Sequence, residues 1–171
     1  YGRPVLVFPS EQGRASDWEA NGMVGAVGHL VAAGRVKLYC VDSGDGFSWS
    51  DASIPLEERA RRHGGYEHWI LEQVVPFIQH DSHTHDIAVT GCSMGAFHAA
   101  NFALKRADLF PLAICMSGSY DPSSWRGWGE RGEATYFNNP MDYVEHLDGG
   151  HLDWLRERLS LLLVVGRGQW E

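Results

Sequence analysis

Five short runs of apolar residues recur along the chain, and each is long enough for one β-strand. They cover residues 4–8, 36–41, 87–90, 112–116 and 161–165. The run 4–8 is continuously apolar rather than alternating, which is typical of a parallel strand that is covered on both faces. Segments with helical spacing separate the runs. The pattern predicts an α/β fold, a three-layer α/β/α sandwich around a mainly parallel sheet.

The segments between the runs predict helices at several positions. Apolar residues at helical spacing indicate one helix over residues 23–31, closed by Gly34. A second helix is predicted over residues 66–78 and is kinked or ended near Pro76, because proline lacks the backbone N–H. In sheets of this kind, ligands bind at the carboxyl ends of the strands. The loops that follow the five runs are therefore expected to form the functional edge.

The third apolar run leads directly into a serine between two glycines. Residues 91–95 read Gly-Cys-Ser-Met-Gly, and an alanine-rich helical segment follows. This G-x-S-x-G pattern between a strand and a helix predicts a nucleophile elbow with Ser93 at its tip. Gly91 and Gly95 would let the backbones of strand and helix approach closely. The simpler alternative is a glycine-rich turn with an incidental serine.

Composition narrows the function classes. The formal net charge of −8 argues against nucleic acid or an anionic membrane as a partner. No apolar run approaches the length of about 20 residues that crosses a bilayer, and no signal peptide is recognisable. The three cysteines, Cys40, Cys92 and Cys115, are an odd number in apolar surroundings, so buried free thiols and a cytoplasmic location are expected. The chain begins with Tyr1 rather than methionine.

Three segments give the sequence a family resemblance. They are residues 91–96, residues 116–121 (Met-Ser-Gly-Ser-Tyr-Asp) and residues 137–140 (Phe-Asn-Asn-Pro). With them the whole chain resembles an esterase branch of the α/β-hydrolase superfamily that includes esterase D (S-formylglutathione hydrolase) and the mycobacterial mycolyltransferases. The resemblance implies an α/β-hydrolase fold, and residues 1–171 are expected to form a single partial domain, truncated at both ends.

The resemblance also assigns roles to individual residues. Ser93 matches the nucleophile, and the backbone N–H of Met94 matches one donor of the oxyanion hole. The other donor is the backbone N–H of Glu11 or Gln12, after the first strand. Glu171 is the position that matches the catalytic acid. No metal or organic cofactor is implied.

The catalytic histidine is missing from this match. In this fold it follows the acid, and the sequence ends before it. We therefore expect an internal fragment whose incomplete triad makes it a weak catalyst, and whose exposed sheet edges could form a homo-oligomer as an artefact. His98, His146 and His151 are weak candidates for the base. His98 is expected to point away from Ser93.

Other side chains have a functional and a structural interpretation. A dense cluster could bind a metal, although a solvated loop at the amino edge is favoured: His80, Asp81, His83, His85 and Asp86. Aromatic residues of two loops could line a substrate pocket or only pack: Phe47, Trp49, Trp125, Trp128, Tyr136 and Phe137. Arg126 and Arg131 could meet an acidic group of a substrate.

The sequence predicts a serine carboxylic-ester hydrolase. Ser93 would attack a small-molecule ester and form an acyl-enzyme, which water then hydrolyses. An acyltransferase of the same fold is one alternative. A non-catalytic binding protein with an α/β-hydrolase-like fold is the other, and the missing histidine favours it if 171 residues is the full mature length.

Overall fold

The computed structural model describes residues 2–125 and 127–168, which form a five-stranded parallel sheet with helices. The strands are β1 (Arg3–Phe8), β2 (Val36–Cys40), β3 (Ala88–Cys92), β4 (Leu112–Met116) and β5 (Ser160–Val164). Their order across the sheet is β2-β1-β3-β4-β5, and every pairing is parallel. The predicted α/β class with a parallel sheet is confirmed, and each strand lies within one or two residues of its apolar run.

The registers bring three strand ends together at one edge of the sheet. Phe8 of β1 pairs with Gly91 of β3, and Cys92 of β3 pairs with Met116 of β4. The loops after these strands therefore start side by side, at the edge where ligands bind in such sheets. β1, β3 and β4 are central and carry fully buried residues such as Leu6, Val89 and Ala113.

Helices and short turns connect the strands. The α-helices are α1 (Asp17–Ala20), α2 (Met23–Ala26), α3 (Gly28–Ala32), α4 (Leu56–Trp69), α5 (Val75–Ser82), α6 (Met94–Lys105), α7 (Glu133–Tyr136), α8 (Pro140–Tyr143) and α9 (Gly149–Arg158). Single 3-10 turns cover Asp45–Phe47, Pro122–Ser124 and Val144–His146. Helix α6 has the closest contact with the sheet, because its alanines, Ala96, Ala99, Ala100 and Ala103, are buried against it.

The single helix expected over residues 23–31 is wrong. The structure has α2 and α3 there, preceded by α1, and each is only a turn or so long. Glycines at 22, 25 and 28 interrupt the segment, and Gly22 has a φ of +78° that a continuing helix does not allow. Gly34 does adopt the left-handed conformation, with φ +64°, beyond the last helical turn.

The disturbance expected at Pro76 is present as a π-helical segment. Residues Ile70–Val74 are π-helical and join α4 to α5 without a break in the helix. Pro76 lies in the first turn of α5, where its missing N–H is tolerated. The wider π turn before it accommodates the proline ring, so the helix continues.

Strand β5 is an edge strand of the described sheet. All five of its residues are exposed, and Val165 directly after it is 72% exposed.

The three free cysteines differ in exposure. Cys115 is buried and Cys40 partly buried, but Cys92 is exposed, so its predicted burial is wrong. Cys92 is the last residue of β3, where the chain leaves the covered part of the sheet. No helix in the described part of the chain is long and apolar enough to cross a membrane.

Candidate active site

Ser93 is the single residue that connects the end of β3 to the start of α6. Its backbone has φ +57° and ψ −119°, a strained combination for a residue with a side chain. The turn is this tight because no side chain intervenes: a Cβ on Gly91 would lie 2.3 Å from the carbonyl carbon of Gly95, and one on Gly95 would lie 2.4 Å from the Phe8 oxygen. The Ser93 side chain is exposed and lies at the carboxyl edge of the sheet.

Backbone hydrogen bonds fix this turn on both sides. The Ser93 N–H donates to the Met116 oxygen of β4 at 3.0 Å, and the Ser93 oxygen accepts from the N–H groups of Ala96 and Phe97. Met94 is the first residue of α6, so its N–H has no partner within the helix and lies at the positive end of the helix dipole. This is the environment that a developing negative charge requires.

The loop after β1 forms a tight turn beside α6. The Gly13 N–H donates to the Ser10 oxygen at 2.9 Å, and Gln12 within this turn has φ +53°. The Glu11 side chain accepts a hydrogen bond of 2.6 Å from the Ser50 hydroxyl. Both residues proposed as the second oxyanion donor therefore belong to one exposed turn that is linked to the loop after β2.

A cavity of about 510 Å³ is lined by Ser93. Its lining residues come from four loops and the start of α6: Glu11, Trp49, Ser50, Ala52, Ser93, Met94, Ser119, Ser124 and Trp125. The structure thus brings together five of the sequence-derived candidates: Ser93, Met94, Glu11, Trp49 and Trp125. Trp128 is not among the lining residues, since its indole N–H donates to the Ala52 oxygen at 3.0 Å and its side chain is half exposed.

Two tryptophans form an aromatic wall of this cavity. The rings of Trp49 and Trp125 meet edge to face at a centroid distance of 5.7 Å, and Phe97 packs on both. The Trp125 indole N–H donates to the Ser119 hydroxyl at 2.9 Å. Trp49 is almost fully buried, whereas Phe47, weighed with it from the sequence, is 56% exposed and lies outside the lining.

Two charged residues of α4 hold the loops that carry this wall. The guanidinium of Arg59, 1% exposed, donates to the backbone oxygens of Ile54, Trp49 and Trp125 at 3.1–3.3 Å. The Glu57 carboxylate accepts from the N–H groups of Gly132, Ala134 and Thr135, at the start of α7. Sequence patterns gave no sign of either role, because charged residues on a helix usually face solvent.

None of the nine histidines of the chain, all of which lie in the described ranges, donates to or accepts from the Ser93 hydroxyl. His98 is buried and its Nε2 lies 2.9 Å from Oδ1 of Asp45. His146 has its Nδ1 2.7 Å from the Asp142 oxygen, and His151 lies in α9 against Trp154. The described residues thus show no serine–histidine pair.

The remaining candidates lie away from the cavity. Around His80 to Asp86, Lys37 and Tyr39 bond to Asp81, and His85 and Arg158 bond to Asp86. Residues 2–125 and 127–168 contain no group of three or more side chains that could hold a metal ion. Arg131 pairs with Asp142. Glu171 and Arg126 lie outside the described residues.

Comparison with known proteins agrees with this architecture. The model of the family described as "Putative esterase" matches residues 4–167. The chain belongs to this esterase family. Its fold and its hydrolase class follow from that membership, as does the expectation of ester substrates. No curated protein matches the sequence significantly.

Solved structures show that the fold of this esterase-family chain is shared. A ferulic acid esterase superposes with a TM-score of 0.66 at 18% identity, over 99% of this chain and 80% of that one. An S-formylglutathione hydrolase from Agrobacterium tumefaciens gives 0.60 at 18% identity, over 96% and 75%. One from Staphylococcus aureus gives 0.58 at 12% identity, over 98% and 64%, so the chain spans less than two thirds of that enzyme. These similarities establish the α/β-hydrolase fold.

Proposed function

We propose that this esterase-family chain hydrolyses carboxylic esters through Ser93. The observation that supports this most directly is the placement of Ser93. A strained, glycine-flanked turn holds this residue at the lining of the 510 Å³ cavity, directly at the start of α6. Backbone strain of this kind is concentrated at functional sites, because the surrounding structure must stabilise it.

The reaction follows the acyl-enzyme route. The Ser93 oxygen attacks the ester carbonyl carbon and forms a new C–O bond, while its proton passes to a base. The tetrahedral intermediate expels the alcohol, and water then cleaves the acyl-serine bond and releases the acid. The base is a histidine in the resembling enzymes, and the geometry assigns this role to none of the nine histidines here. Glu171 is proposed as the acid by the resemblance alone.

Backbone N–H groups stabilise the oxyanion of the intermediate. The first donor is Met94 N–H, which lies at the positive end of α6. The second comes from the turn that contains Glu11 and Gln12, of which Glu11 lines the same cavity as Met94. Removing one such donor from a serine hydrolase costs about 10²–10³ in kcat.

The cavity favours a small ester with a flat apolar group. Trp49 and Trp125 offer aromatic faces and edges, whereas Glu11 contributes a carboxylate at the same cavity. Trp125 is therefore proposed as a residue that contacts the substrate. Trp128 is assigned a packing role in its loop, because its indole is bonded to Ala52.

A non-catalytic binding protein is the second candidate. The observation in its favour is that the Ser93 hydroxyl bonds to no histidine of the chain. A serine without a base keeps its ordinary weak nucleophilicity. An acyltransferase differs from the hydrolase only in the acceptor, which would be an alcohol instead of water.

Labelling with a fluorophosphonate distinguishes these functions, because the probe reacts only with an activated serine. Intact mass is measured for the folded protein, for Ser93→Ala and for the heat-unfolded protein. One label on the folded wild type, absent from the other two samples, supports the hydrolase. An unlabelled folded wild type overturns the hydrolase for this chain and favours the binding protein. If labelling succeeds, product analysis with and without added alcohol separates hydrolysis from acyl transfer.

A further inference from the structure

A buried polar contact joins α6 to the loop after β2. Nε2 of His98 lies 2.9 Å from Oδ1 of Asp45, and the two residues are 1% and 0% exposed. They are 53 positions apart in the sequence, so the contact is a long-range tertiary one. Burying a carboxylate and an imidazole costs free energy unless their polar atoms are paired. Such a pair is weak evidence for a purely stabilising role.

Asp45 also accepts hydrogen bonds from serines of its own loop. Its Oδ2 accepts from the Ser43 hydroxyl at 2.6 Å. Its backbone oxygen accepts from the N–H groups of Ser48 and Ser50 at 3.0 and 2.9 Å. The Ser50 hydroxyl in turn donates to the Glu11 carboxylate. Asp45 thus organises the segment that holds the side chain of Glu11.

The backbone of the Glu11 turn is also tied to the loop that contains Asp45. Burial raises the pKa of Asp45, but the His98 ring, the Ser43 hydroxyl and the Gln12 backbone N–H outweigh burial and lower the pKa, which favours the carboxylate form. The Ser43 N–H donates to the Gly13 oxygen at 3.0 Å, which ties the same turn to the loop after β2. Glu11 lines the cavity and Gln12 is not among its lining residues, so the Glu11 N–H is the donor that this turn offers to the cavity.

We propose, building on the function proposed for Ser93, that Asp45 and His98 are positioning residues for the oxyanion hole. One donor, Met94 N–H, is fixed to α6, and the other, Glu11 N–H, belongs to the turn after β1. The Asp45 carboxylate bonds to α6 through His98, and the loop that Asp45 organises bonds to that turn through the Ser43 N–H on Gly13 and the Ser50 hydroxyl on Glu11. The pair therefore sets the separation of two donors that must be in place before the charge develops.

His63 provides a matched control within the same core. Its ring stacks on His98 at a centroid distance of 5.2 Å and is fully buried. Among the described residues, neither of its ring nitrogens has a hydrogen-bond partner. A role that consists only of packing would be shared by both histidines, whereas positioning belongs to His98 alone.

The first test measures kcat and KM for a 4-nitrophenyl ester, per folded protein. His98→Phe keeps a ring and removes the donor, His98→Gln keeps a donor of similar reach, and His63→Phe is the control. We expect His98→Phe to lower kcat about 100-fold with KM changed less than about two-fold. His98→Gln should restore most of the loss, and His63→Phe should stay within about two-fold of wild type. Equal losses in the two phenylalanine variants would overturn the positioning role.

The second test does not depend on activity. Hydrogen exchange by mass spectrometry reports how firmly residues 10–15 are held. We expect about ten-fold faster exchange there in His98→Phe, with wild-type exchange in His98→Gln and His63→Phe. Unchanged exchange in His98→Phe overturns the proposed pair, even if ester hydrolysis is confirmed. If hydrolysis proves independent of Ser93, the function proposed for Ser93 fails, and the exchange data still decide whether the pair holds the turn.

Discussion

A Cβ atom placed on Gly91 would lie 2.3 Å from the carbonyl carbon of Gly95 and 2.4 Å from its oxygen. Both contacts are with backbone atoms, so no side chain can rotate to make room. The approach of β3 to α6, and with it the position of Ser93 between them, therefore depends on the absence of a side chain at residue 91.

Gly91→Ala is expected to destabilise the protein and to displace Ser93. The clash forces β3 and α6 apart, which should lower the free energy of unfolding by about 3 kcal/mol. Fluorophosphonate labelling of the remaining folded protein should be lost as well. Gly65→Ala is the matched control, because Gly65 lies in α4 and a Cβ there would meet no atom within 4 Å. That variant should gain up to about 1 kcal/mol. Equal stability of the two variants in urea unfolding would contradict the argument.

Arg59→Met is expected to loosen the aromatic wall of the cavity. The variant removes the Arg59 donor from the backbone oxygens of Trp49, Ile54 and Trp125, which are buried or partly buried, at a cost of about 3 kcal/mol. The position of Trp125 should also change, which near-ultraviolet circular dichroism detects. Arg62→Met is the control on the same helix, since the Arg62 side chain is 41% exposed and its ion pairs should contribute less than about 1 kcal/mol. If the Arg59 variant were as stable as the Arg62 variant, Arg59 would not hold the loops that carry the aromatic wall.

The sequence predicted those parts of the fold that depend on local pattern. The run Leu112–Met116 is a strand with the same bounds in the structure, and all five predicted strands pair in parallel. Residues 91–95 were located because a tight strand-to-helix turn needs small residues at fixed positions. The helix expected over residues 23–31 failed because three glycines outweighed the apolar spacing.

The parts that could not be predicted depend on contacts between distant residues. Arg59 reaches Trp125 over 66 positions, and Asp45 reaches His98 over 53. In the sequence, Arg59 belongs to a charged helical segment and Asp45 to a glycine-rich loop, and both patterns are typical of solvated surface. The sequence predicts that His98 points away from Ser93, and in the structure His98 bonds to Asp45. The sequence carries no sign of that partner.

His63→Phe is expected to flatten the dependence of stability on pH. Burial, together with the nearby His98 and Lys105, holds the pKa of His63 well below its usual 6.5. Below pH 6.5 the unfolded chain thus binds a proton at residue 63 that the folded protein does not bind. This group therefore lowers the free energy of unfolding as the pH falls, by at most about 1.4 kcal/mol per pH unit. The variant lacks this contribution.

The measurement is urea unfolding of wild type and His63→Phe at several values between pH 7.5 and about pH 5. The phenylalanine ring also removes two buried nitrogens that have no partner among the described residues, so the variant should be at least as stable at neutral pH. The stability difference should then grow in favour of the variant as the solution is acidified. A difference independent of pH would show that residue 63 does not titrate on unfolding.

Glu11→Gln is expected to change which esters the cavity accepts. Glu11 contributes a carboxylate to the cavity that contains Ser93, and its side chain accepts from the Ser50 hydroxyl. Glutamine keeps an acceptor for Ser50 and removes the charge. An anionic substrate group about 4 Å away is repelled by at least about 1 kcal/mol, which corresponds to about five-fold in kcat/KM.

The comparison is between 4-nitrophenyl hemisuccinate, which is anionic, and neutral 4-nitrophenyl butyrate. The ratio of kcat/KM for the anionic ester to kcat/KM for the neutral ester should rise about five-fold in the variant at low salt. The rise should be smaller at 1 M salt, because salt screens the repulsion. Glu19→Gln, on α1 and outside the cavity lining, should leave the ratio unchanged. If both substrates respond equally to Glu11→Gln, the residue acts through the turn it belongs to and not through its charge.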